Sequence, residues 1–383
     1  MSRPLGSHVK GGFEVKNYYF IDLLVRERTF LVLLLTGLLA SALFYQVHSI
    51  AMWLGFIFAG YAAVANDSIQ TLGTFIVSNS KRPWYILWLF VALIFIAVVT
   101  FSFIYFDGDV TYHRIYNPEK YPDLPQNSMY PQPESFSFVQ LAAPLVLLVL
   151  TRLRMPVSTT FLLLSCFTIQ AKGITDVFTK SLSGYFLAFL LSMFIWVIGY
   201  NLIKKYFGQR KHSKKWVIAQ WITTGTLWGV WLMQDAANIA VYLPRQLTIG
   251  EFIGFAGLIV AGLGLLMYQR GDKIQHIVNE KKRIDDVRAA TLIDFSYAIM
   301  LIYKLFISTV PLSTTWVFLG IIGGREIAIA IMRKKNGSSH KRHAIKLVAR
   351  DMVLALIGLV VSAILAIAVN PVLMEELMAT IGI

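Results

Sequence analysis

Nine apolar stretches divide this chain, near 29–47, 50–79, 84–106, 138–171, 183–203, 216–247, 250–268, 293–330 and 351–370. A helix needs about 20 residues to cross the hydrocarbon of a bilayer. Most of the stretches reach that length, and 50–79, 138–171, 216–247 and 293–330 exceed it and carry polar interruptions. Composition agrees: 56% of residues are hydrophobic and 15% charged, against roughly 25% charged in an ordinary soluble chain. So little charge cannot cover a compact globule, which excludes a water-soluble enzyme. The single cysteine, Cys166, excludes an intrachain disulfide and a cysteine metal cage.

The net charge of +14 sits almost wholly between the apolar stretches. That placement suits lipid headgroups and cytoplasmic loops rather than nucleic acid. Lys204-Lys205, Arg210-Lys211 and Lys214-Lys215 form one basic segment, and Arg333-Lys334-Lys335 through Arg350 another. Both are predicted to face the cytoplasm, with Lys81-Arg82, segment 269–290 (read as a solvated charged helix) and the N-terminal lead. The loop 107–137 carries Asp107, Asp109, Glu119, Asp123 and Glu134 against Arg114 and Lys120, and is predicted to face outside. The lead from Lys10 to Arg28 is too long for a signal peptide and no small-residue cleavage site follows, so 29–47 is expected to be a retained helix.

Parity then demands two hairpins. Between the outside loop and the Lys204 cluster lie two apolar stretches where an odd number of crossings is required. Stretch 138–171 satisfies this by entering and leaving on one side, and 293–330, flanked by basic segments, does the same from the other. Each half reads span, span, hairpin, span in opposite orientation, the inverted-topology repeat of many secondary transporters. The expected fold is an all-α polytopic membrane protein with two re-entrant helical hairpins and broken helices. Residues 1–48 form a lead and extra N-terminal span, 49–205 the first repeat and 206–383 the second.

The repeat is visible in residues. Asn66-Asp67-Ser68-Ile69-Gln70 in the first half matches Gln234-Asp235-Ala236-Ala237-Asn238 in the second. Pro156-Val157-Ser158-Thr159-Thr160 matches Pro311-Leu312-Ser313-Thr314-Thr315. Aspartates in mid-membrane are costly and mark a pathway. Asn66, Asp67, Gln70, Gln234, Asp235 and Asn238 offer hard oxygen ligands for a small cation, with Asp67 and Asp235 at its centre; the alternative is that these aspartates carry protons. In each Pro-x-Ser-Thr-Thr block, proline ends one helix and Ser or Thr caps the next. A new helix start is an anion site, or else the hydroxyls only satisfy backbone groups in a kinked helix.

These motifs resemble the inorganic phosphate transporter (PiT) family, whose pattern is Gly-Ala-Asn-Asp-Val-Ala-Asn early in each half and Pro-Val-Ser-Thr-Thr-His later. The first half keeps Ala65-Asn66-Asp67 and, in register, Gly73-Thr74; the second keeps Asp235 and Asn238; both Pro-x-Ser-Thr-Thr blocks are intact. The resemblance runs from about Ser49 to Val369. It implies a cation-coupled importer, driven by Na⁺ or H⁺, of phosphate or a related oxyanion such as sulfate, often homodimeric, in the plasma (inner) membrane. It assigns the Asn-Asp motifs to the cation, and Ser158, Thr159, Thr160, Ser313, Thr314, Thr315 and Thr74 to the anion. No further cofactor is implied. The chain departs from the pattern at Val64, Leu232, Gln70, Gln234, Tyr242, and at Phe161 and Trp316, which replace the family histidines.

Arg152 and Arg154 stand just before Pro156, placed either to attract the anion or to snorkel to an interface. Asp294 and Gln140 lie at similar distances before the two prolines; Asp294 either completes a cation site or lies wet at the boundary. The histidines are scattered, with no metal-ligand spacing, so an enzyme is not expected. A passive anion channel is the remaining alternative, and it has no use for paired buried carboxylates.

Overall fold

The apolar stretches fold as helices. The computed structural model describes residues 7–10, 13–16, 27–153, 155–207, 214–269, 286–307, 312–332, 337–370 and 374–375. A short antiparallel pair, β1 (Ser7–Lys10) and β2 (Phe13–Lys16), precedes the helices. In chain order these are α1 (Arg28–Phe44), α2 (His48–Ser78), α3 (Trp84–Tyr105), α4 (Phe138–Arg152), α5 (Thr159–Leu162), α6 (Ala171–Phe207), α7 (Lys214–Ala240), α8 (Ile249–Tyr268), α9 (Val287–Ile307), α10 (Thr314–Met332) and α11 (Gly337–Val369). Among the described residues, seven helices are long and apolar enough to cross a bilayer, the character of a multi-pass membrane protein. Helix α1 shows why a bilayer is needed. It buries only Gly37 and Ser41 and turns Val32, Leu33, Leu35, Leu39 and Leu43 outward, a surface that water would not tolerate.

Two expectations of local structure change. Helices α2 and α7 run unbroken through Asp67 and Asp235, so their backbone carbonyls stay in the helical ladder and are not freed as ligands. The breaks fall later, at the Pro-x-Ser-Thr-Thr blocks. There the two halves differ in length: α5 is four residues, followed by a 3₁₀ turn at Leu164–Phe167, whereas α10 is 19 residues and long enough to cross alone. Pro311 and segment 270–285 lie outside the described residues, as does Arg154.

Helix α4 opens with a capping box: Ser137 Oγ accepts the Gln140 N–H (3.1 Å) and Gln140 Oε1 accepts the Ser137 N–H (2.9 Å). Pro144 inside α4 lacks an N–H and so frees the carbonyl four residues earlier. That carbonyl is Gln140's, and the Tyr242 hydroxyl donates to it at 2.7 Å. At its far end α4 is fixed to the start of α1, where Arg152 Nε donates to the Glu27 carboxylate at 2.8 Å and the guanidinium lies over Phe30. Arg152 is thus a structural tie and not an anion ligand. Beyond the break the chain returns to the loop it left, since the Ile169 N–H donates to the Met129 carbonyl (3.2 Å).

The second break is held by packing on α6. A Cβ on Gly320 would lie 2.4 Å from the Tyr185 carbonyl oxygen, and one on Gly324 2.2 Å from that of Phe189. Two glycines one turn apart therefore let α10 and α6 touch backbone to backbone, the close approach that small residues permit between membrane helices. The contact brings Ser181 Oγ within 2.7 Å of the Ser313 N–H and fixes where α10 begins.

Candidate functional site

The two halves meet at a hydrogen-bonded chain of buried side chains. Thr159 Oγ1 donates to Asp67 Oδ2 at 2.6 Å. The Asn238 amide donates to Thr159 Oγ1 and Thr160 Oγ1, both at 3.1 Å, and to Asp235 Oδ1 at 2.6 Å. Thr160 Oγ1 lies 3.4 Å from Asp235 Oδ1 and 3.3 Å from the Leu312 carbonyl. Helical spacing makes this possible: Asp235 and Asn238, three residues apart on α7, share a face. On the α2 side, Asn66 Nδ2 donates to Asp67 Oδ1 (2.8 Å) and to the Val157 carbonyl (2.9 Å) inside the first break. Gln70 Nε2 reaches Asn66 Oδ1 at 3.3 Å, and Thr315 Oγ1 donates to the same Val157 carbonyl at 3.2 Å. Four elements of the sequence repeat thus converge.

The carboxylates are not equally served. Both Asp67 oxygens accept a hydrogen bond. Asp235 Oδ2 has none, nor has Asn238 Oδ1, nor Ser68 Oγ beside Asp67. Thr314 lies next to Asp235 outside hydrogen-bond geometry, with its hydroxyl taking the Trp231 indole N–H at 3.3 Å. A carboxylate at a helix centre in a bilayer costs about 3 kcal/mol, and a hydrogen bond to a charged group returns about 1.5–3 kcal/mol. Two such bonds offset the cost for Asp67. Asp235 takes both of its bonds on Oδ1, one of them 3.4 Å long, and the three buried site atoms without a partner, Asp235 Oδ2, Asn238 Oδ1 and Ser68 Oγ, are oxygens, the ligand type a hard cation takes. The residues therefore fit a small hard cation.

The serines act differently from the threonines. Ser158 Oγ accepts the Phe161 N–H and Ser313 Oγ the Trp316 N–H, each at 3.2 Å. Both are N-caps, and each retains its O–H proton as a donor. Phe161 and Trp316 meet across the repeat, ring centroids 6.1 Å apart and planes tilted by 58°, in a small apolar cluster with Val177, Tyr185 and Ala355.

Two expected ligands lie elsewhere. Gln234 Nε2 turns to the Leu301 carbonyl on α9 (3.1 Å) because, one residue from Asp235, it sits about 100° around the helix. Thr74 Oγ1 donates to Asp294 Oδ1 at 2.6 Å, outside the bonded chain that joins Asp67 to Asp235. Asp294 itself is 1% exposed, so it is not a wet boundary residue. Arg114, in the 107–137 loop, is also buried and within electrostatic reach of Asp235; burial pulls its guanidinium down to about 10, with the Asp235 charge pulling the other way. It puts a positive charge on the Asp235 side of the site. Nothing in its local sequence signals this, because the contact depends on how the loop folds over the helices. No protein-family profile, curated protein or solved structure matches the chain.

Proposed function

We propose that the chain is a secondary active transporter, coupling Na⁺ or H⁺ to the movement of phosphate or a sulfate-like oxyanion by alternating access. The observation that carries this reading is the bonded chain Asp67–Thr159–Asn238–Thr160–Asp235, which joins a carboxylate of each half through one break motif. A cation at Asp235 Oδ2 and Asn238 Oδ1 supplies the charge those oxygens lack. Neutralising Asp235 frees the Thr160 hydroxyl to turn from carboxylate to anion, beside the O–H groups of Ser158 and Ser313. Cation and anion then bind together because each removes the other's desolvation cost. Thr314 and Thr315, at the start of α10, complete the anion side.

The return of the 138–169 segment to the 107–137 loop supports a re-entrant first hairpin, and the matched motifs support an inverted repeat with membership of the phosphate transporter family. The apolar Phe161–Trp316 wall in place of two histidines favours an anion that asks for fewer donors than phosphate, so sulfate is the second reading. The test is uptake of radiolabelled phosphate and sulfate into proteoliposomes, each with and without a sodium or a pH gradient. Gradient-dependent uptake of one anion is expected. Uptake that ignores both gradients identifies a passive channel and ends the coupled reading.

A further inference from the structure

A third carboxylate lies outside the chain just described. Asp294 on α9 is held by hydroxyls from both halves: Thr74 Oγ1 of α2 donates to Oδ1 at 2.6 Å, and Thr224 Oγ1 of α7 donates to Oδ2 at 2.5 Å. One helical turn further along both helices the polar lining continues. Ser78 Oγ donates to the Thr74 carbonyl (2.7 Å) and accepts from Gln220 Nε2. Gln220 Oε1 accepts from Asn79 Nδ2 (3.0 Å), and Asn79 Oδ1 accepts from Trp221 Nε1 and Arg82 Nε, both at 3.2 Å. Asp294, Thr224 and Gln220 are buried, while Arg82 is exposed. The column thus runs from a buried carboxylate to the Lys81-Arg82 turn, which loop charge assigns to the cytoplasm.

We propose that Asp294 is a proton-binding site approached from the Lys81-Arg82 side, with Ser78, Asn79 and Gln220 lining the approach rather than relaying the proton. The ligand that fits is a proton: a buried carboxyl with no bonded cation is neutralised most simply by protonation, and a hydroxyl that now donates to it can turn and accept once the acid O–H is present. Among the described residues, no cation is bonded to Asp294. Charged and titratable groups on the surrounding helices include His48, Tyr61 and Asp67 on α2, Lys214, Lys215 and Asp235 on α7, Lys172, Asp176, Lys180 and Tyr185 on α6, Arg325 and Glu326 on α10, and Arg288, Tyr297, Tyr303 and Lys304 on α9 itself. Arg288 pairs with Asp286, Arg325 with Glu326, Lys304 reaches Ser183, and Tyr297 donates to the Thr314 carbonyl. None forms an ion pair or hydrogen bond with Asp294.

The site is one-sided. Thr74 lies seven residues after Asp67, and the residue seven after Asp235 is Tyr242, whose hydroxyl meets the Gln140 backbone on α4 where Thr74 meets Asp294 on α9. A proton is therefore taken up at one end of the repeat only, which gives the proposed transporter a proton-linked step distinct from the cation at Asp235. The coupling role rests on the transport reading; the proton site does not.

Infrared difference spectra of the full-length protein in liposomes, titrated with pH, test it through the carbonyl stretch of protonated carboxylic acids. Asp294→Asn is expected to delete one titrating carboxyl band. Thr224→Val keeps the carboxyl and is expected to move that band's midpoint by about one pH unit, the equivalent of one charge-assisted hydrogen bond. Saturating Na⁺ is expected to leave the band in place. A full band set in Asp294→Asn overturns the proposal, as does a band that Na⁺ removes in competition with protons. Should Asp294→Asn misfold, an unmoved midpoint in Thr224→Val overturns it alone. Wild-type protein that titrates normally but takes up no anion under any gradient sinks the transport reading and leaves the proton site standing.

Discussion

Asp67 and Asp235 occupy matching places in the two halves, yet one is closed and the other open. Asp67 has a donor on each oxygen, Asn66 from its own helix and Thr159 from the break. Asp235 concentrates Asn238 and Thr160 on Oδ1 and leaves Oδ2 bare. The same inequality recurs two turns on, where Thr74 meets a carboxylate and Tyr242 a backbone carbonyl. A duplicated motif therefore need not mean a duplicated role. The α2 copy builds the scaffold of the site, and the α7 copy keeps ligand capacity in reserve.

The largest expected effect separates the two aspartates. Asp235→Asn should lower gradient-driven uptake by about 100-fold or more, the loss of roughly 3 kcal/mol of cation binding. Asp67→Asn should lower it about tenfold while reducing thermal stability more than Asp235→Asn does. Equal uptake losses and equal melting shifts, measured side by side in proteoliposomes and detergent, would break the comparison. Next come the threonines between them. Thr159→Val removes the donor to Asp67 and should cost about 2 kcal/mol, read as a fall of a few degrees in melting temperature. Thr160→Val, whose bond is 3.4 Å long, should cost less than half as much. The reverse order would relocate the scaffold to the Asp235 side.

Tyr242→Phe tests the position two turns on, with an expected cost of about 1 kcal/mol from the stranded Gln140 carbonyl. Gly55 lies under that ring, where an added Cβ would sit 2.2 Å from Tyr242 Cδ1; Gly55→Ala should therefore destabilise by at least as much in the same melting assay. The smallest effect concerns the loop that carries Arg114. Burial raises the Asp109 carboxyl above its ordinary range, against opposing bonds from Thr111 and His113. A raised folded value means the folded loop holds its proton more tightly than the unfolded chain. Its contribution is complete below the ordinary carboxylate range and is lost as pH rises through the raised value. Amide exchange across 107–113 should accordingly slow on acidification through that window, and Asp109→Asn should flatten the trend.

The helices and the meeting of the four motifs were legible because apolar length and repeated polar blocks constrain few alternatives. Finer placement was not. Unbroken α2 and α7 could not be told from broken helices, since neither copy of the Asn-Asp motif contains a proline or glycine to decide it. Thr74 lies two turns from Asp67 and so shares its face, but which helix that face meets there depends on packing. Asp294 illustrates the same limit: its partners Thr74 and Thr224 are 220 and 70 residues away, and no local pattern announces them. Gln234 was misplaced by matching it to Asn66 letter by letter, when its angle on α7 directs it to α9.

The tie between Arg152 and Glu27 has a practical reach. Glu27 sits directly ahead of α1, and Arg152 ends the helix that precedes the turn presenting Thr159. A fusion upstream of residue 27 that breaks this tie is expected to loosen α4 ahead of that turn, and the other end of the chain is no freer, because Asn370 after α11 donates to the Thr168 carbonyl and Gly358 packs on Val157.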